Sequence, residues 1–131
     1  MNINYNFDII PDADAVMALY ADSGLNRPRD RDRIARMYSN SNLIVTAWDQ
    51  RVLVGVSRSV TDFCYCCYLS DLAVLKAYQQ CGIGKELIRL TKERVGDETM
   101  LLLLSAPAAM EYYPKVGLEV VDNGFIIKRK K

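Results

Sequence analysis

Between Val74 and Lys85 the sequence reads VLKAYQQCGIGK, where an apolar run passes through a turn holding Gly82 and Gly84 into a helix-forming stretch. A strand–turn–helix junction aims unpaired backbone N–H groups and the positive end of a helix dipole at one point, which suits a phosphate. Two phosphate motifs can be tested against the letters. A P-loop needs Gly at position 79 and Ser or Thr at 86, where the chain has Gln79 and Glu86; a dinucleotide fingerprint needs a third glycine at 87, where it has Leu87. Both fail, and the pattern left is Gln79-x-x-Gly82-x-Gly84. The sequence contains no histidine, which excludes Ser-His-Asp and Cys-His nucleophiles, histidine-ligated zinc and a histidine general base. Chemistry therefore falls to carboxylates, tyrosine, cysteine, lysine, water or the backbone. Cys64, Cys66 and Cys67 lack the spacing of a zinc knuckle and alternate faces along an extended run, so they read as free thiols used for packing and no metal site is expected. Cys81 sits inside the glycine turn, beside a helix start that can activate a thiol, but away from any chemistry that the turn would serve.

Gln79-x-x-Gly82-x-Gly84, directly after a strand ending LAV, resembles the pyrophosphate loop (Arg/Gln-x-x-Gly-x-Gly/Ala) of the GNAT superfamily of acyl-CoA-dependent N-acyltransferases. One helix and one buried strand later, Tyr112-Tyr113-Pro114-Lys115-Val116-Gly117-Leu118 resembles the family's second signature, aromatic-Tyr-x-Lys-x-Gly-Phe. With the N-terminal order of elements also matching, the resemblance spans essentially the whole chain. It implies acetyl-CoA as co-substrate, with the backbone of Leu72, Ala73 and Val74 pairing with the pantetheine arm and polarising the thioester. The N–H groups of Gln79, Gln80, Cys81, Gly82, Ile83, Gly84 and Lys85 would hold the pyrophosphate. It further implies that a primary amine attacks the thioester directly with both substrates bound, in a cleft where the strand through Leu72–Val74 splays from the next. Tyr113 matches the family's general acid. For the base, Asp71 beside the proposed thioester site is the candidate, with Glu111 a weaker one and water a third route. Where the family often has Asn, seven residues before the tyrosine, this chain has Ala106, and Ser105 is the candidate replacement. The alternative function is a catalytically idle acyl-CoA-binding regulatory domain of the same fold.

These residues need a scaffold, and periodicity supplies one. Residues 3–10 alternate as a half-buried strand; a helix follows Pro11-Asp12, with Val16, Leu19 and Tyr20 on one face, and ends near Gly24. The stretch 29–38 places Ile34, Met37 and Tyr38 at helical spacing. LIVTAW and RVLVGVSRSV, joined at Asp49-Gln50, read as a hairpin, and FCYCCYLSDLAVL as a central strand. The run through KELIRLTKERV is the clearest helix, closed by Gly96; residues 99–105 are a buried strand, and a short helix runs from Pro107 through Tyr113, ended by Pro114–Gly117. Two final strands, 118–121 and 125–130, turn at Asp122-Asn123-Gly124. The order β α α β β β α β α β β predicts an α/β (α+β) fold, a single mixed, mostly antiparallel sheet of six or seven strands flanked by four helices.

With 131 residues, half of them apolar, the expectation is one domain over 1–131. Seventeen basic against sixteen acidic residues leave a net charge of +1, which does not suit a nucleic-acid partner. The N-terminus lacks a signal-peptide pattern and no apolar run approaches the ~20 residues of a membrane helix, so a cytoplasmic location without membrane partner is expected. Arg27, Arg29, Arg31, Arg33 and Arg36 form a basic segment that reads as a solvated helix face. The resemblance puts this segment at the border of the acceptor site, where it would favour an acidic or peptidic substrate. Lys128–Lys131 reads as a charged chain end. The expected partner is a small-molecule or peptidic primary amine, and edge strands near the C-terminus allow a homodimer.

Overall fold

The computed structural model describes residues 2–131. Their elements are β1 (Ile3–Asn6), α1 (Ala13–Ser23), α2 (Arg31–Ser39), β2 (Leu43–Asp49), β3 (Val52–Thr61), β4 (Cys66–Val74), α3 (Ile83–Val95), β5 (Met100–Leu102) and α4 (Tyr112–Lys115), with 3-10 turns at Lys76–Tyr78 and Pro107–Ala109. The five strands lie in the order β1-β2-β3-β4-β5. The first four pair antiparallel, and β5 adds parallel to β4. A parallel neighbour needs a crossover, and α3 provides it.

Helices cover both faces of the sheet. On one, Val16, Leu19 and Tyr20 of α1 and Ile34 and Tyr38 of α2 pack on Ile44, Val56 and Ala73. On the other, Ile83, Leu87 and Val95 of α3 pack on Val45, Ala47, Val54 and Cys67. Strands buried on both faces read as continuous apolar runs, which is why LIVTA and VLVGV lack clean alternation. Asp30 caps α2 by accepting from the Arg33 N–H at 3.2 Å, and Gly24, at φ 81°, closes α1 in the left-handed region.

Several expected boundaries move. The first strand stops at Asn6, leaving Ile9 and Ile10 exposed. The central strand starts only at Cys66, because the Asp62 carboxylate accepts from the backbone N–H groups of Cys64, Tyr65 and Cys66 at 2.8–3.0 Å and folds that stretch into a turn. Those three bonds also hold the Asp62 carboxyl far below the usual carboxylate range. The short helix before Gly117 begins at Tyr112 and includes Pro114, which stands in the first turn where no helical N–H is needed.

The largest correction concerns the C-terminus. Residues 118–121 and 125–130 form no strands, so the sheet has five strands and not six or seven. A strand is stable only when a neighbour completes its ladder, and this segment has no such neighbour among the described residues. Phe125 and Ile127 are 100% exposed. No helix of the described residues is long and apolar enough to cross a membrane.

Candidate active site

The site begins where β4 and β5 part. Their pairing runs only through Cys66–Tyr68 against Met100–Leu102, so Leu69–Val74 and Leu103–Ser105 diverge unpaired. A register shift between β3 and β4 leaves Ser70 as the extra residue, a bulge of the kind that re-aims a strand beside a site. The resulting cleft encloses about 350 Å³ and is lined by Leu72, Ala73, Val74, Gln79 and Tyr113 among the residues singled out from the sequence, together with Arg27, Ser70, Leu103, Leu104 and Ala106.

The hydrogen-bonding direction of its wall follows from one bond. Leu75 N–H donates to the Val54 carbonyl of β3 at 2.9 Å. Backbone groups alternate sides along a strand, so Ala73 also faces β3, while Leu72 and Val74 turn N–H and C=O toward the cleft. The Val74 carbonyl accepts from the Gln79 side-chain amide at 2.9 Å, which ties the turn to the end of the wall.

Gln80 and Gly82 have φ of 65° and 82°, both left-handed. Successive N–H groups in such a turn form a concavity for an anion. Gly82 is the N-cap of α3 and no side chain caps the helix, so the N–H groups of Ile83, Gly84 and Lys85 have no helical acceptor. Ile83's side chain is buried in the core, so it offers only its backbone. Gly84 faces Tyr112: a Cβ there would stand 2.7 Å from the Tyr112 hydroxyl. Cys81 is exposed on the turn, its thiol donating to the Gln79 carbonyl at 3.6 Å. These residues suit a diphosphate ester: free donors, a helix dipole and open space over Gly82.

Tyr113 is half-buried, its ring edge-on to that of Tyr112 with centroids 5.2 Å apart. Burial pushes its phenol above the ordinary value and Tyr112 adds to this, while the nearby Arg27 charge opposes it. Tyr113 is therefore a protonated phenol at neutral pH, able to give a proton but not to take one.

Asp71 lies behind the cleft wall and is 0% exposed. One carboxylate oxygen accepts from Arg27 Nε at 2.7 Å, Ser70 Oγ at 3.0 Å and Arg58 Nη2 at 3.3 Å; the other accepts from Tyr20 at 2.7 Å and Arg58 Nε at 2.9 Å. Since Tyr20 gives its one hydroxyl proton to Asp71, the Tyr20–Tyr38 hydroxyl pair is completed by Tyr38 donating. Burial opposes ionisation of Asp71, but the hydrogen bonds from Arg58 and Tyr20 and the charges of Arg58 and Arg27 outweigh it, so its pKa lies below the usual value. A carboxylate so engaged is a poor proton acceptor, which does not suit the base role expected for it. Its stabilising contribution should be whole above the unfolded carboxyl value of about 3.9 and should disappear as pH falls from there through the lower folded value. Urea midpoints between pH 5 and pH 2 measure this: the native chain should lose stability more steeply than Asp71→Asn, and parallel curves would contradict it.

Two residues take places that residue pattern alone does not report, although the family resemblance puts the Arg27 segment at the border of the acceptor site. Arg27, grouped with a solvated basic segment, leaves that group: Arg29, Arg31 and Arg36 are exposed, whereas Arg27 turns inward and lines the cleft. Tyr112 meets the turn at Gly84, a contact between segments whose spacing in sequence carries no signal. Glu111 is exposed and does not line the cleft, and Ser105 donates to the Ala106 carbonyl at 2.7 Å.

A family model described as an acetyltransferase (GNAT) domain matches residues 24–128. The chain belongs to the GNAT acetyltransferase family. A search of curated proteins finds no match. Among solved structures, the GNAT fold here is similar to that of a probable acetyltransferase of unknown function from meticillin-resistant Staphylococcus aureus, at a TM-score of 0.84 and 24% identity over 98% of this chain and 100% of that one. It is similar also to a GNAT-family acetyltransferase from Streptococcus pneumoniae, at 0.81 and 24% identity over 99% and 100%. A third, AAC(6')-Iy in complex with the bisubstrate analogue CoA-S-monomethyl-acetylneamine, reaches 0.74 at 13% identity over the full length of both chains. At such identities the solved structures establish the GNAT fold.

Proposed function

We propose that this GNAT domain transfers an acetyl group from acetyl-CoA to a primary amine by direct attack, with both substrates in the cleft between β4 and β5. The observation that carries this reading is the joining of three features in one place: an uncapped glycine turn, a strand edge with outward N–H groups, and a protonated tyrosine. Acetyl-CoA supplies an activated thioester. The uncapped N–H groups of the turn hold its diphosphate, and the edge of Leu72 and Val74 pairs with the amides of the pantetheine arm as another strand would. An N–H of that edge polarises the thioester carbonyl and stabilises the oxyanion formed on attack. Tyr113 then gives its proton to the departing sulfur, a transfer between groups of similar basicity. No acidic side chain lines the cleft among the described residues, so the proton of the attacking amine leaves through water. Asp71 acts as the anchor of Arg27 and Arg58. The neighbour holding a CoA-derived bisubstrate analogue supports a ternary complex.

Cys81 offers a direct test of the cofactor site. Acetyl-CoA should protect Cys81 from alkylation at least several-fold while Cys64, on the turn before β4, reacts at its unliganded rate; peptide mass spectrometry reads both. Equal labelling of Cys81 with and without acetyl-CoA would place the cofactor elsewhere. Binding with no acetylation of any amine would instead favour the idle acyl-CoA-binding domain.

A further inference from the structure

We propose that Arg27 selects the acceptor, and that the amine acetylated by this chain carries a carboxylate close to its amino nitrogen, as an α-amino acid does. The inference rests on the acetyltransferase reading above and adds the substrate class to it. Its basis is a charge that the fold leaves uncompensated. Two guanidinium groups, Arg27 and Arg58, share the single carboxylate of Asp71. The cluster therefore holds one positive charge in excess.

That excess is directed at the cleft. Arg58 is turned inward, its side chain 10% exposed and its nitrogens bound to Ser41, Ser70 and Asp71. Arg27 is 26% exposed, and among the described residues it is the only charged side chain lining the cleft. Three of its N–H groups donate, to Asp71, to the Asn26 carbonyl and to the Ser70 carbonyl, each at 2.7 Å. A guanidinium has five, so two remain for a ligand. Those already used fasten the planar group to the bulge of β4, so little orientational freedom is lost when a carboxylate takes the remaining pair.

The same charge works on the amine. Until it is paired, the excess charge repels an ammonium group, so an acceptor that brings its own carboxylate is received and one that does not is opposed. A polycationic acceptor finds no carboxylate on this wall to receive its extra charges. An acceptor with a carboxylate neutralises the excess charge as it binds.

The test is a set of matched acceptors, each α-amino acid paired with its own α-carboxamide, together with a diamine, assayed with acetyl-CoA for thiol release and acetylated product. Native protein should favour the carboxylate member of a pair by roughly 10- to 100-fold in kcat/KM, the value of a charge-assisted hydrogen-bonded contact. Arg27→Gln should collapse that ratio toward one, and Arg27→Lys, which keeps charge but not the fork, should leave an intermediate ratio; circular dichroism checks that both variants fold. Carboxamides or the diamine matching the carboxylates on native protein would overturn the inference while leaving the acetyltransferase reading intact. So would an Arg27→Gln loss shared equally by both members of every pair, since that would place Arg27 on the thioester side. If no amine of any kind were acetylated, the acetyltransferase reading itself would fall, and the inference with it.

Discussion

Tyr113→Phe should lower acetyl-CoA-dependent thiol release by about 10²- to 10⁴-fold, the usual contribution of a positioned general acid, while leaving acetyl-CoA affinity unchanged. The substitution removes one oxygen and keeps the ring that lies edge-on to Tyr112. Burial holds the Tyr113 phenol above its ordinary value, so the acid form persists through the neutral range and the rate should not fall there for want of a proton. A leaving group stable as an anion needs no such donor, which gives a second check: an acyl donor whose leaving group is far less basic than a thiolate should lose much less rate on the substitution. Comparing kcat and the acetyl-CoA dissociation constant for the two proteins tests the assignment. Equal kcat would mean that another group, or water, protonates the sulfur.

Asp71→Ala should destabilise the fold by about 3–5 kcal/mol, the range seen when one member of a buried charge cluster is removed. The reason is what stays behind. Arg58 would keep its charge under the sheet with only Ser41 and Ser70 to receive it, and the buried Tyr20 hydroxyl would lose its acceptor. Asp71→Asn should cost less, because an amide oxygen still accepts from some of these donors. Urea denaturation at neutral pH measures both. A change near zero for Asp71→Ala would mean that the cluster is open to water. The same carboxylate orients Arg27 in the cleft, so stability and the proposed acceptor selection meet at a single residue.

The outcome at Asp71 shows where residue type and spacing stop being informative. Its position on the strand before Leu72–Val74 is readable from the letters, and a carboxylate beside the cleft is a reasonable base in a chain with no histidine. What decides its role is the arrival of Arg27 from the segment after α1, of Tyr20 from α1 and of Arg58 from β3, at separations of 44, 51 and 13 residues. No local pattern encodes that convergence. The turn at Gln79–Gly84 is the opposite case: its chemistry depends on backbone conformation and the absence of Cβ atoms, which glycine letters report directly.

Periodicity located α1, α2 and α3, because a helix with one buried face repeats its apolar residues locally. The end of the chain resisted the same reasoning. Leu118–Val121 and Phe125–Lys130 have the composition of strands, but a strand is defined by its neighbour, and the pattern of one segment does not name a partner for it. The start of β4 is hidden from periodicity for a related reason: FCYC is apolar, yet the Asp62 carboxylate captures three of the backbone donors that a ladder would use.

The reaction proposed for this GNAT domain moves an acetyl group from acetyl-CoA to an amine. The most direct measurement incubates the purified chain with acetyl-CoA and a panel of primary amines, following free thiol and acetylated product together. Thiol release should depend on the amine, with one acetylated amine formed per thiol and no product when the amine is left out. Binding of acetyl-CoA without amine-dependent thiol release across the panel would contradict it.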